Sequence, residues 1–90
     1  MPKVKFTSAL NRFFPTLTEL EIAGDTVRET LDKIELSHPG ILNYLVEDNG
    51  QLRKHVNIFL KGELIKDRTT LKDAVNEKDE LVIFQALSGG

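Results

Sequence analysis

Apolar and polar side chains alternate with a period of two in several short stretches of the chain, and between them the period lengthens once. Val4-Lys5-Phe6-Thr7-Ser8 puts Val4 and Phe6 on one face and Lys5 and Thr7 on the other, the pattern of a strand with one buried side. After a loop at 11–16 that contains Pro15, Glu19-Leu20-Glu21-Ile22 alternates again, so the two segments read as a hairpin. Beyond Ala23-Gly24 the spacing changes. Thr26 followed by Glu29 matches a capping box, with Asp25 as a competing N-cap. Val27, Leu31 and Ile34 then recur at helical spacing and form one apolar stripe. Pro39-Gly40 ends this helix, 41–44 is read as an added helical turn, and Glu47-Asp48-Asn49-Gly50 is a polar turn signal.

The second half returns to a period of two. In Val56-Asn57-Ile58-Phe59-Leu60, Val56, Ile58 and Leu60 share one face while Asn57 and Phe59 share the other. Lys61-Gly62 makes a tight turn into a short segment at 63–65, and 70–75 is expected to form a single helical turn anchored by Leu71. Glu80-Leu81-Val82-Ile83-Phe84-Gln85 is the last strand, with Leu81 and Ile83 on one face and Val82 and Phe84 on the other. This order predicts an α+β domain in which a mixed sheet wraps around one main helix. The first and last strands carry strong apolar faces, so they are expected to lie centrally; if they pair in parallel, the chain returns to its own start. The domain spans 1–85, and 86–90 is a flexible tail leaving the sheet into solvent.

Composition narrows the function classes. At 90 residues the chain holds one domain. A net charge of -2 and the lack of a basic stripe argue against nucleic acid as a partner. The chain has no cysteine, which removes disulfides, thiolate metal sites and a cysteine nucleophile and fits a cytoplasmic protein. No apolar run approaches the roughly 20 residues of a membrane-spanning helix, and Met1-Pro2-Lys3-Val4 lacks a signal-peptide layout, so no membrane role is expected. The free protein is expected to be a monomer.

No catalytic constellation is evident. His38 and His55 fall on different elements at a spacing that matches no ligand motif, so they read as surface histidines and no metal is assigned. Asp79-Glu80 reads as a solvated turn, and Lys61-Gly62 lacks the upstream glycine and following Ser/Thr of a P-loop.

The end of the sequence, Ala86-Leu87-Ser88-Gly89-Gly90, stands apart. A terminal Gly-Gly arises by chance in roughly 0.5% of chains at ordinary glycine usage. Without a Cβ, two glycines thread a narrow channel and leave the last carbonyl carbon open to attack. Activation would then fall to another enzyme: an ATP-dependent partner with Mg²⁺ could convert the carboxylate to an acyl-adenylate, and a sulfur nucleophile could displace AMP to leave a thiocarboxylate. The second feature is the outward sheet face. Phe59 and Phe84, with Val82, fall opposite the core and make an apolar partner patch near the tail, unless a loop such as Phe13-Phe14 folds over them.

Several segments together resemble the MoaD/ThiS family of ubiquitin-like sulfur carriers: the Gly24-Asp25-Thr26-Val27 helix entry, the Val56-Asn57-Ile58 strand with its Gly62 turn, and the ending Asp79-Glu80-Leu81 … Phe84 … Ser88-Gly89-Gly90. The resemblance covers essentially the whole chain. It implies a β-grasp fold and a carrier that is not itself an enzyme. Its C-terminal Gly90 would be adenylated by an E1-like adenylyltransferase/sulfurtransferase, with Gly89, Ser88 and Leu87 threading the channel. Phe59 and Phe84 match the family's partner-binding face. The remaining partners implied are a sulfur donor such as a rhodanese or a cysteine desulfurase, and a sulfur-accepting biosynthetic enzyme. The acceptor could be a molybdopterin or thiazole precursor, an activated serine derivative or a tRNA base. Gln85-Ala86 stands where molybdopterin-type members usually carry two prolines. Leu52-Arg53-Lys54-His55-Val56-Asn57-Ile58 is similar to a cysteine-biosynthesis carrier and to archaeal small modifiers. Both features point toward cysteine or another biosynthetic product. The alternative, a ubiquitin-like modifier joined through Gly90 to target lysines, shares the first step.

Overall fold

In the computed structural model, which describes residues 1–7, 14 and 19–85, the alternating segments pair into one five-stranded mixed sheet. β1 (Lys3–Phe6) runs antiparallel to β2 (Glu19–Glu21), with Val4 opposite Leu20. The amide of Ile22 donates to the carbonyl of Pro2 and carries the ladder one residue further. β1 is parallel to β5 (Glu80–Gln85), with Val4 opposite Leu81 and Phe6 opposite Ile83. β5 in turn is antiparallel to β3 (Val56–Leu60), with Ile83 opposite Ile58 and Leu81 opposite Leu60. β4 (Glu63–Leu64) closes the edge, giving the order β2-β1-β5-β3-β4. The two strongly apolar strands are therefore central, as their pattern predicts, and they pair in parallel. The β3–β4 turn places Lys61 at φ 56° and Gly62 at φ 82°, the left-handed pair that suits a two-residue hairpin.

α1 (Val27–Ser37) lies against one face of this sheet. Thr26, and not Asp25, is its N-cap: the amide of Glu29 donates to Thr26 Oγ1 at 3.1 Å. The Glu29 carboxylate reaches back to the amide of Asp25, at 3.3 Å, one residue beyond the usual capping-box position. Val27, Leu31 and Ile34 are fully buried with Val4, Val56, Ile58, Leu81 and Ile83 in one core. Gly24 is required by this packing. A Cβ there would lie 2.6 Å from Thr30 Oγ1 and 3.1 Å from the backbone nitrogen of Thr30. At the other end, the Glu35 carboxylate accepts from the amides of Gly40 (2.8 Å) and Leu42 (3.0 Å), tying α1 to the short α2 (Leu42–Leu45). The expected extra turn thus forms one residue later than its apolar pattern suggests. A mixed sheet curled around one principal helix in this order is the β-grasp arrangement.

The helical turn expected at 70–75 does not form. A single turn forms earlier instead, at 67–71: the Asp67 carboxylate accepts from the backbone N–H of Thr69 (3.1 Å), Thr70 (2.8 Å) and Lys72 (3.2 Å) and from the Thr70 hydroxyl, as an N-cap does, and the Leu71 amide donates to Asp67 O at 3.1 Å. Leu71 is buried, as its role of anchor requires, but it sits at φ 59°, which stops helical propagation. Residues 71–75 form no helix; Ala74 pairs with Thr26 in an antiparallel bridge, and carbonyls of this stretch cap α1. Leu71 O accepts from the amide of Arg28 at 2.8 Å, and Asp73 O from the amide of Val27 at 3.1 Å. Both are among the amides a helix cannot satisfy for itself. This route therefore satisfies amides of α1 that a helical turn at 70–75 would leave without these carbonyls.

Asp79 also departs from its expected place in a solvated turn. It is 9% exposed, its carboxylate accepts from the Asn76 amide at 2.7 Å, and Lys61 Nζ lies 3.7 Å away. It ties the start of β5 to the β3–β4 turn. Glu80 beside it is exposed, as expected.

Two carboxylates make stability depend on pH. Hydrogen bonds from the Thr70 hydroxyl and backbone hold the Asp67 carboxyl well below the usual carboxylate range, and those from Gly40 and Leu42 lower Glu35. A carboxyl whose folded-state pKa lies below its unfolded value of about 4 contributes stability that is complete above that value and is lost as pH falls through the folded one. The melting temperature is therefore expected to drop steadily as pH falls below about 4.5, and Asp67→Asn is expected to flatten that slope. Thermal unfolding followed by circular dichroism checks this; parallel curves for the two proteins would contradict it.

Candidate functional site

The face of the sheet turned away from α1 carries the other half of each alternating strand. Phe59 on β3 pairs with Val82 on β5 and, on its other side, with Leu64 on β4. Phe84 lies one step further along β5, opposite Asn57. Phe59, Val82, Phe84 and Leu64 consequently occupy one outward patch, because residues in register share a face and neighbouring pairs touch across strands. Phe84 is 42% exposed and Leu64 54% exposed, while Phe59 and Val82 are half-buried. The outward placement expected for Phe59, Phe84 and Val82 is what the register produces. Phe14 does not cover them: its ring packs edge-on against Tyr44 and His38 of the helical layer, at centroid distances of 5.9 and 6.3 Å. Phe13 lies outside the described residues.

Sequence reasoning missed Leu64. The signal was available, since a two-residue turn at Lys61-Gly62 sets Leu64 opposite Phe59, but a two-residue strand has no periodicity of its own. On the β1 side the patch ends at Lys5, whose Nζ lies 3.2 Å from Glu80 Oε2 and 3.8 Å from Glu19 Oε1. These exposed pairs add little stability. One lysine set between two glutamates leaves that border with a net charge of -1.

The patch lies at the root of the tail. Gln85, the last residue of β5, is opposite Val56, and the Thr7 amide donates to Ile83 O at 3.2 Å on the other side. Gly90, Gly89, Ser88 and Leu87, the residues expected to thread a partner's channel, lie outside the described residues. So does the proposed boundary of the tail at 86.

The histidines are not brought together as a site. His38 follows α1, with Nδ1 2.9 Å from Ser37 Oγ, and His55 precedes β3. Among the described residues no group of three or more His, Cys, Asp and Glu side chains is placed to hold a metal ion, and no helix is long and apolar enough to cross a membrane. An open surface groove runs along Met1, Lys3, Glu77, Lys78, Asp79 and Glu80, at the start of β5 and thus at the far end of that strand from Gln85. It is charged and shallow, and nothing in it converges on a reacting centre.

Comparison with known proteins agrees with this geometry. The crystal structure of the Amycolatopsis orientalis BexX/CysO complex contains a chain that superposes with a TM-score of 0.86 at 28% identity, covering 100% of both chains. Small archaeal modifier protein 1 of Haloferax volcanii is 33% identical over 72 residues, 79% of this chain and 78% of that protein. Sulfur carrier protein CysO of Mycobacterium tuberculosis is 29% identical over 70 residues, 76% of this chain and 75% of that protein. The β-grasp sheet with its single main helix makes this chain a ubiquitin-like protein. Within that class the match is specific: the sequence profile of the ThiS family covers residues 4–90, and the chain belongs to that family, among the MoaD/ThiS-type ubiquitin-like sulfur carriers.

Proposed function

We propose that this protein is a sulfur carrier whose terminal Gly90 carboxylate is adenylated by a separate E1-like enzyme and converted to a thiocarboxylate. The observation that carries the reading is the ThiS-family match running through Ser88-Gly89-Gly90, directly after a strand whose outward face is apolar. In the first step the carboxylate oxygen attacks the α-phosphorus of ATP on the partner, whose Mg²⁺ balances the phosphate charge, and pyrophosphate leaves. In the second, the terminal sulfur of a persulfide on a rhodanese or a cysteine desulfurase attacks the acyl carbon and AMP leaves; a thiol then reduces the resulting acyl disulfide, which releases the thiocarboxylate. The protein itself supplies three things: a reacting end without side chains, a patch of Phe59, Val82, Phe84 and Leu64 to dock, and a rigid sheet linking them. The thiocarboxylate then passes sulfur to a biosynthetic enzyme. The similarity to carriers named CysO favours cysteine or a related product over molybdopterin.

The similarity to a small archaeal modifier protein supports a second reading, conjugation of Gly90 to lysines of other proteins. Mass spectrometry of the intact protein from its native host separates the two. The carrier reading expects a population in which one terminal oxygen is replaced by sulfur. The modifier reading expects Gly-Gly remnants on lysines of other proteins after digestion. Neither signal, in cells that express the E1-like enzyme, would sink both.

A further inference from the structure

Among the described residues Arg68 is a charged group without a carboxylate partner. Its Nη1 donates to Asn57 Oδ1 at 3.1 Å and its Nη2 to the carbonyl of Arg53 at 2.7 Å. Both acceptors are neutral. All 14 Asp and Glu residues of the sequence lie among the described residues, and none forms an ion pair with Arg68. The other described arginines are compensated: Arg28 Nε lies 3.3 Å from Asp32 and Arg53 Nη1 2.8 Å from Glu47. The position is also specific. Asn57 is the cross-strand neighbour of Phe84, so the guanidinium sits at the border of the apolar patch, beside the strand that leads into the tail.

A guanidinium has five N–H donors in a fixed fork, of which two are used here. The two bonds hold the side chain half-buried and in one orientation, so much of the ordering cost of binding is met before any partner arrives. A planar fork with donors to spare matches a carboxylate. The tail sets what this residue can address: residues 86–90 span about 17 Å when extended, so a contact at Asn57 lies on the partner's surface around the channel mouth and far from the reacting acyl group.

We infer that Arg68, seated on Asn57, is a docking residue that receives a carboxylate of the adenylating enzyme next to the apolar patch. The inference rests on the carrier reading above. It deepens that reading by naming the charge of the partner's surface: acidic where it meets the β3 side of the sheet, apolar where it meets Phe59 and Phe84.

The test uses the full chain and the E1-like enzyme of its host, and reads ATP–pyrophosphate exchange as a function of carrier concentration at low and high salt. Arg68→Gln keeps an amide donor for the Asn57 and Arg53 acceptors and removes the charge. It is expected to raise KM about tenfold with kcat unchanged, and to reduce the salt dependence of KM. Arg68→Glu is expected to raise KM further. Arg68→Lys restores the charge without the fork and is expected to recover part of the loss at low salt. All are assayed at a temperature where circular dichroism shows them folded, and should Gln not fold, Glu takes its place in the comparison with Lys. A KM within about twofold of wild type in Gln, or the same raised KM and salt dependence in Lys and Gln, overturns the docking role. No exchange with the wild-type chain overturns the carrier reading itself, and the inference with it.

Discussion

A chain lacking Gly90 alone is expected to lose ATP–pyrophosphate exchange by more than about 10²-fold while unfolding at the wild-type temperature. The deletion leaves a carboxylate, and it leaves that carboxylate on a glycine. What changes is its position. One residue of extended chain is about 3.5 Å, so a tail anchored by the same docked sheet falls short of the nucleotide by that distance. Misplacement of reacting atoms by as little as 1 Å can cost about 10²-fold, because the advantage of a bound reaction lies in holding the atoms at near-attack separation. Stability should not change, since the core is closed by Val4, Leu31, Ile58, Leu81 and Ile83 within β1, α1, β3 and β5. The measurement is exchange with the host's adenylating enzyme beside a thermal melt. Retained exchange at the wild-type KM would show that the last residue is not the reacting one. Gly90→Ala makes a useful companion: it keeps the length and adds only a Cβ, so its loss reports the width of the channel and not the reach of the tail.

The legible parts of the fold are those where one face of an element is buried and the other is wet. Val4, Val56, Ile58, Leu81 and Ile83 are fully buried, and each sits at the expected parity of its strand. The same parity turns Phe59, Val82 and Phe84 outward, so this half of the candidate site is readable from the alternation alone. Legibility fails where side chains compete with the backbone. Thr70 to Val75 carries no helix breaker, and only the geometry reveals that the Asp67 carboxylate gathers the amides of Thr69, Thr70 and Lys72 and sets the turn at 67–71, after which Leu71 at φ 59° stops it. Asp79 departs from its pattern for the same reason, because a carboxylate bonded to the Asn76 amide can be buried where a free one cannot. Leu64 and Arg68 escape for another reason, although the Lys61-Gly62 turn does fix the register of Leu64. Both belong to the site through register and loop return, and neither has a local pattern that marks it.

Truncating Phe59 to Ala is expected to weaken docking to the adenylating enzyme by roughly 10- to 10³-fold, the range found when an aromatic anchor at the centre of an interface is removed. Phe59 stands at that centre: it is flanked by Val82 on β5 and Leu64 on β4, with Phe84 diagonally beside it. Phe84→Ala should cost less, because Phe84 lies toward the rim and is 42% exposed in the free protein, so its pocket on the partner is less completely shielded. The two effects should not add, since the two residues are diagonal neighbours across β3 and β5 and meet the same partner surface. Some loss of fold stability accompanies Phe59→Ala, on the order of 1 kcal/mol from the cross-strand pairs it leaves. Titration calorimetry of the folded variants against the enzyme separates this from binding. If Phe59→Ala binds as tightly as wild type, the outward patch is not the docking surface, and the alternation that exposes it would need a purely structural cause. If binding weakens but kcat for exchange at saturation is unchanged, the patch contributes uniform binding and the tail alone carries the chemistry, which is the division of labour that the sheet and its C-terminal extension imply.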